Sequence, residues 1–173
     1  MHDGLQDLHV AARSRTNAKG GRVGREEENV PEILLAEDNA ADIYLIREAL
    51  REHLVDCPLR VVTDGQQVLR ILAAAESQAE PQYPALIILD LNLPRHDGIE
   101  ILQRLKETPA LRHVPVVVLT SSDSPRDRQA ADLLGVTRFL RKPSSLEQFL
   151  SLGAVFKELL QPDSRARHCE SGA

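Results

Sequence analysis

The sequence predicts an α/β domain, a (βα)5 unit whose five parallel strands form one doubly wound sheet. Three observations predict it. Five short apolar runs recur between Glu32 and Leu160, and amphipathic stretches with helix-start signals separate them. The runs are mostly apolar without alternation, as in strands covered on both faces. The core must come from Leu, Ile, Val and Ala, since the 173 residues include no tryptophan and few aromatics. That length suits one domain of ordinary size with tails.

Residues 1–30 are polar, with Lys19-Gly20-Gly21-Arg22 and Arg25-Glu26-Glu27-Glu28-Asn29, and are expected to form a flexible arm before a domain spanning 31–160. The first strand, Ile33-Leu34-Leu35-Ala36, runs into Glu37-Asp38, and Ile43, Ile46, Leu50 and Leu54 share one face of the helix that follows. Leu59-Arg60-Val61-Val62 is the second strand. The third, Leu86-Ile87-Ile88-Leu89, ends on Asp90 and turns at once through Asn92 and Pro94. Asp97-Gly98-Ile99-Glu100 is a capping box that opens the next helix. The fourth strand, Val114 to Leu119, delivers Thr120, and Ser124-Pro125 pairs an N-cap with proline at the first helical position of a helix running toward Gly135. The fifth strand, Val136 to Leu140, leads to Lys142-Pro143. Ser144-Ser145-Leu146-Glu147 then caps the last helix, before a polar tail over 161–173.

The net charge of −5 and the scattered basic residues speak against nucleic acid as a direct partner. Cys57 and Cys169 lack the spacing of a zinc site or a redox pair, which points to reduced thiols and a cytoplasmic location. No segment has the pattern of a signal peptide or a membrane span. His53, His96 and His113 are isolated from one another and are expected at the surface.

Parallel sheets of this kind bind ligands beyond the carboxyl ends of their strands, and Glu37, Asp38, Asp90, Thr120 and Lys142 all fall at such ends. Three converging carboxylates repel one another unless a cation sits among them. Mg2+ meets that need, with Asp38 and Asp90 as ligands, Glu37 through a water, and the backbone carbonyl of Asn92 as a further donor. One carboxylate can then attack a phosphoryl group, with Lys142 as a mobile charge and the Thr120 hydroxyl as a hydrogen-bond donor. Taken singly, Asp38 could merely cap a helix and Asp90 merely start a turn. Together with Thr120 and Lys142 they favour function.

Ala36-Glu37-Asp38-Asn39, Asp90-Leu91-Asn92-Leu93-Pro94 with Asp97-Gly98, Leu119-Thr120-Ser121 and Phe139-Leu140-Arg141-Lys142-Pro143 resemble the receiver domain of bacterial two-component response regulators, in the right order from about Pro31 to Leu160. The resemblance implies a flavodoxin-like (CheY-like) fold, Asp90 as phosphoacceptor, Glu37 and Asp38 as the acidic pair, Thr120 and Lys142 as sensors of the phosphoryl group, and Phe139 as the aromatic switch. It also implies a cis Lys142-Pro143 bond. Within the family, Glu37 to Asp42, Asp90 to Gly98 and Lys142 to Phe149 look most like the lone receivers that partner bacterial phytochrome and related sensor histidine kinases.

The last helix adds an expectation of its own. Leu146, Phe149, Leu150, Leu152, Val155, Phe156, Leu159 and Leu160 form an apolar arc wider than one sheet face needs. A homodimer through the fourth and fifth helices, using Leu152, Val155, Phe156 and Leu159, is therefore expected. Since only a tail follows Leu160, the output is expected to be an interaction with an unidentified protein target rather than DNA binding or catalysis. A phosphatase or phosphotransferase with an aspartyl-phosphate intermediate competes with this reading. Such haloacid-dehalogenase-like enzymes carry a second acid where this chain has Asn92. A degenerate receiver acting as a constitutive scaffold is disfavoured by the intact Asp38, Asp90, Thr120 and Lys142.

Overall fold

The computed structural model describes residues 32–77 and 83–161. The expected arm at 1–30, the tail beyond Gln161 and Cys169 lie outside them. Among the described residues the strands are β1 (Ile33–Ala36), β2 (Leu59–Val62), β3 (Leu86–Leu89), β4 (Val116–Thr120) and β5 (Arg138–Arg141). They alternate with helices α1 (Ala40–Glu52), α2 (Gly65–Ser77), α3 (Gly98–Glu107), α4 (Pro125–Leu133) and α5 (Leu146–Leu160). All pairings are parallel and the strand order is β2-β1-β3-β4-β5. The predicted (βα)5 fold is the one observed.

The strict two-residue period of a strand explains how one apolar run serves two cores. Leu34 and Ala36 of β1, Ile87 and Leu89 of β3, and Val116 and Val118 of β4 point to one face, against Val68, Leu72, Ile101, Leu102, Leu105 and Ala131. Their neighbours Ile33, Leu35, Leu86, Ile88, Val117 and Leu119 point to the other, against Ile46, Leu50, Phe149, Leu152, Phe156 and Leu159. Hence α2, α3 and α4 cover one side and α1 and α5 the other. The chain reverses its direction across the sheet between β1 and β3, which opens a crevice at their carboxyl ends.

Four local expectations shift. Leu54 is not on the α1 face: the helix ends at Glu52, and Leu54 turns to φ +54 and is exposed. A residue with positive φ cannot continue a right-handed helix. β5 begins at Arg138 rather than Val136, because the Val136 peptide donates to Ala131 in closing α4 and the Thr137 hydroxyl accepts from Val116. The cap of α5 is Ser145, whose hydroxyl accepts from the Gln148 peptide. No cis peptide occurs among the described residues, so the Lys142-Pro143 bond is trans.

The dimer residues require correction. Leu152, Phe156 and Leu159 are buried in the core of the single chain, and Val155 is half-buried against it. The wide apolar arc of α5 is covered in cis, by the sheet on one flank and by α1 on the other. Gly153 permits this, since a methyl group there would overlap the Ala49 carbonyl oxygen of α1. Lys157 closes the seam by donating to the His53 carbonyl at 2.9 Å.

Candidate functional site

Each site residue sits where a strand gives out. Glu37 follows β1, its peptide donating to the Val62 carbonyl at 3.0 Å, and Asp90 follows β3, its peptide donating to the Ala36 carbonyl at 2.9 Å. These bonds carry the sheet's ladder one residue past the strands and fix both acids across the β1/β3 crevice. Thr120 is the last residue of β4. Its carbonyl accepts from the Lys142 peptide at 2.8 Å, which places Lys142 just beyond β5.

Glu37 and Asp90 are buried and Asp38 is exposed. Asp38 does not cap α1. Asn39 does, its side chain accepting from the Ala41 and Asp42 peptides at 2.9 and 3.3 Å. Among the described residues the Asp38 carboxylate has no hydrogen-bond or ion-pair partner, so it remains available at the mouth of the crevice. Asp90 does serve its turn, since one carboxylate oxygen accepts from the Asn92 peptide at 3.0 Å. The other accepts from Lys142 Nζ at 2.7 Å.

Lys142 Nζ also contacts Glu37 Oε2 and Asp42 Oδ2, each at 2.8 Å. Burial disfavours its ammonium, but the hydrogen bonds to Asp42, Asp90 and Glu37 outweigh that and hold its pKa above the ordinary lysine value. Burial pushes the Glu37 carboxyl up, and the hydrogen bonds from Lys142 and the Asn39 peptide offset only part of this. The Lys142 ammonium beside Glu37 favours the ionised carboxylate, against the burial that disfavours it.

One carboxylate oxygen from each of Glu37, Asp38 and Asp90 lies within 4.8 Å of the others, a spacing that one divalent ion with oxygen ligands can span with small side-chain movement. The donor set is all oxygen and holds one exposed, unpartnered carboxylate. It fits a hard divalent metal ion.

Thr120 is fully buried. Its hydroxyl oxygen accepts from Asn92 Nδ2 at 3.1 Å and from the Ser122 peptide at 3.2 Å. A hydroxyl has two lone pairs and one proton, so with both acceptor positions used the O–H is left to donate. Ser122 continues outward, its hydroxyl donating to Asp127 Oδ2 of α4 at 2.7 Å. Phe139 on β5 is half-buried against the core, and the Arg128 guanidinium of α4 lies 4.7 Å from its ring centroid. Gly98 seats α3 against the loop after Asp90, because a methyl group there would overlap the Leu91 backbone.

The fold brings Glu37, Asp38, Asp90, Thr120, Asn92 and Lys142 to the carboxyl edge of the sheet, with Phe139 on β5 paired with Val118, two residues before Thr120. It does not bring Leu152, Val155, Phe156 or Leu159 to the surface as a set. His53 and His96 are half-buried, bonded near the Ala49 carbonyl and Gln66, and neither bonds a site residue. Sequence reasoning missed two participants. Asp42 carries a usable signal as an acid in the first turn of the helix after the acidic pair, but its partner is a hundred positions away. Asp127 carries the signal of an acid three residues after the Ser124 cap.

The response regulator receiver domain model matches residues 33–152. Response regulator Rcp1 of Synechocystis is 38% identical over 128 residues, which cover 73% of this chain and 87% of Rcp1. The probable methanogenesis regulatory protein FilR2 of Methanothrix harundinacea is also 38% identical, over 126 residues covering 73% of this chain and 81% of FilR2. Among solved structures, the phosphorylated cyanobacterial phytochrome response regulator RcpA aligns with a TM-score of 0.68 at 36% identity, covering 77% of this chain and 95% of RcpA. The Mn2+-bound form of Rcp1 aligns with a TM-score of 0.65 at 36% identity, covering 74% and 92%. The matched segment holds the parallel sheet, the acidic crevice, the buried threonine and the strand-end lysine, and the chain belongs to the response regulator receiver domain family of two-component signalling.

Proposed function

We propose that Asp90 is the phosphoacceptor of this receiver, taking its phosphoryl group from the histidine of a sensor kinase. The observation that carries this is the convergence of a lysine ammonium at 2.7 Å, a buried hydroxyl with a free donor and an oxygen-only acidic cluster on one strand-end carboxylate. In the transfer, an Asp90 carboxylate oxygen bonds to phosphorus as the N–P bond to the kinase histidine breaks, and the imidazole leaves with the bonding pair. Phosphoryl transfer needs alignment and charge neutralisation more than proton chemistry.

Lys142 supplies positive charge to a phosphoryl oxygen and Thr120 donates its O–H to another. Glu37, Asp38, Asp90 and the Asn92 carbonyl would hold Mg2+, which neutralises phosphoryl charge when bound. Glu37 would act there through a water. Phe139 is the switch residue on β5. Its half-buried ring and its contact with Arg128 support a role in passing the state of Thr120 to α4 and β5. The interaction surface so biased serves a protein target.

A phytochrome-type kinase in the cytoplasm is the partner we favour. Similarity to the cyanobacterial phytochrome response regulator RcpA, and to a response regulator in red light signaling of R. palustris at 28% identity with a TM-score of 0.62, supports it. A homodimer through α4 and α5 loses its first support with the burial of Leu152, Phe156 and Leu159. Leu133 and Leu146 are the large apolar residues exposed on those helices, and a dimer there would have to use them.

The test is loading by a small acyl-phosphate donor with Mg2+, read by intact mass. One phosphoryl group is expected on the wild type and none on Asp90→Asn. Equal loading of that variant would move the site elsewhere.

A further inference from the structure

Lys142 Nζ donates to Asp42 and Asp90 at 2.8 and 2.7 Å and pairs with the Glu37 carboxylate at 2.8 Å, so its three N–H donors meet three carboxylates. Two of those carboxylates belong to the acidic cluster that could hold a metal ion. Asp42 does not. It stands in the first turn of α1, where its own peptide is fixed by the Asn39 cap, and its carboxylate is four-fifths buried at the seam between α1 and the end of β5.

We propose that Asp42 is a positioning residue for Lys142. When Glu37 and Asp90 turn their oxygens to other partners, Asp42 keeps its hydrogen bond, holds the ammonium at the mouth of the crevice and leaves two N–H donors aimed at the incoming phosphoryl oxygens. A lysine stem otherwise has large rotamer freedom to lose at the moment of transfer. Held from a rigid helix turn, it has already lost it. This assignment rests on Asp90 as phosphoacceptor.

The sign of the effect separates positioning from bulk electrostatics. Removing a negative charge beside the site should by itself ease the approach of an anionic phosphodonor. If Asp42 positions Lys142, Asp42→Asn should instead slow loading by about tenfold, the factor that one charge-assisted hydrogen bond supplies. The second readout is the Lys142 ammonium resonance in metal-free protein by 15N NMR. It should be sharp and slowly exchanging in the wild type, and shifted and broadened in Asp42→Asn. Asp42→Glu, which keeps the charge on a longer stem, should recover part of both the rate and the resonance. It also carries the comparison with wild type should Asp42→Asn fail to fold, with intermediate values expected.

Unchanged or faster loading in Asp42→Asn overturns the proposal, and so does slower loading with an unaltered Lys142 resonance. With Asp42→Glu alone, a wild-type rate and resonance overturn it as well. Mapping the phosphoryl group in the wild type keeps the two levels apart. A label found away from Asp90 rejects the phosphoacceptor reading, whereas a label on Asp90 with Asp42 inert rejects only the tether.

Discussion

Thr120 joins the strand-end carboxylate cluster to α4 through a short run of hydrogen bonds. Its hydroxyl oxygen is held by the Asn92 side chain and the Ser122 peptide, and the Ser122 hydroxyl is in turn bonded to Asp127 on α4. If Thr120 moves to donate to a phosphoryl oxygen, the Ser122 peptide loses its acceptor and the first turn of α4 loses part of its anchorage. Ser122→Ala should therefore cost about 1 kcal/mol, the net value of such a bond. The cost should appear as faster amide exchange over the first turn of α4, with one phosphoryl group still loaded at Asp90. Unchanged exchange there would mean that Ser122 does not hold α4. At this scale the legible residues are those whose role is local. Asp90, Thr120 and Lys142 stand out because each ends an apolar run. The pairing of Asp42 with Lys142 and the step from Ser122 to Asp127 are set by tertiary approach, so no spacing announces them. Asn39 rather than Asp38 caps α1, which frees Asp38, and no local preference decides between those two neighbours.

For α5, hydrophobic periodicity shows how wide the apolar face is but not what covers it. Its excess over one sheet face goes to α1, made reachable by Gly153. Leu152→Glu should consequently destabilise the fold by about 3–5 kcal/mol, because a charge and a cavity replace a buried leucine. The measurement is the urea midpoint, and a folded protein with unchanged midpoint would return α5 to the surface. Gly153→Ala should cost about 1–3 kcal/mol by overpacking the α1–α5 seam. Strand positions were legible because continuous apolar runs need two covered faces, and β1, β3 and β4 have them. β5 is an edge strand with Arg138 and Arg141 exposed, so its start is set by Thr137 rather than by hydrophobicity. The start of α2 is capped by Asp64 with Gln67 three residues on, a usual signature that only the structure brought to notice. The Asp64 carboxylate accepts from the Gln67 peptide at 2.9 Å and from the Gln67 side chain at 3.1 Å. Those hydrogen bonds hold its pKa below the ordinary aspartate value. With the folded pKa depressed, its stabilisation is present above the unfolded pKa and is lost as pH falls through the folded one. The melting temperature of Asp64→Ala should lie below that of the wild type at neutral pH, and the two should converge in acid.

At the scale of the whole molecule, the crevice between β1 and β3 gathers carboxylates in a protein whose net charge is already −5. The fold tolerates this because Lys142, delivered by the far edge strand, stands among them as a built-in cation. A divalent ion held by the acidic cluster would compete with Lys142 for Glu37 and Asp90. Any ligand that binds only the folded state raises its stability, by about 2.7 kcal/mol at roughly a hundredfold excess over its Kd. Mg2+ should therefore raise the melting temperature of the wild type by several degrees, and Asp38→Ala, which removes the exposed ligand without disturbing a buried group, should lose most of that rise. Lys142→Met should behave in the opposite way. Without the ammonium its fold should be less stable when metal-free, since burial leaves Glu37 without a compensating charge, yet its gain on adding Mg2+ should exceed that of the wild type. Equal gains in the two proteins would show that the lysine and the metal ion occupy independent places. The larger gain would establish that this sheet edge is arranged around one positive charge, which a lysine supplies until a metal ion and a phosphoryl group arrive.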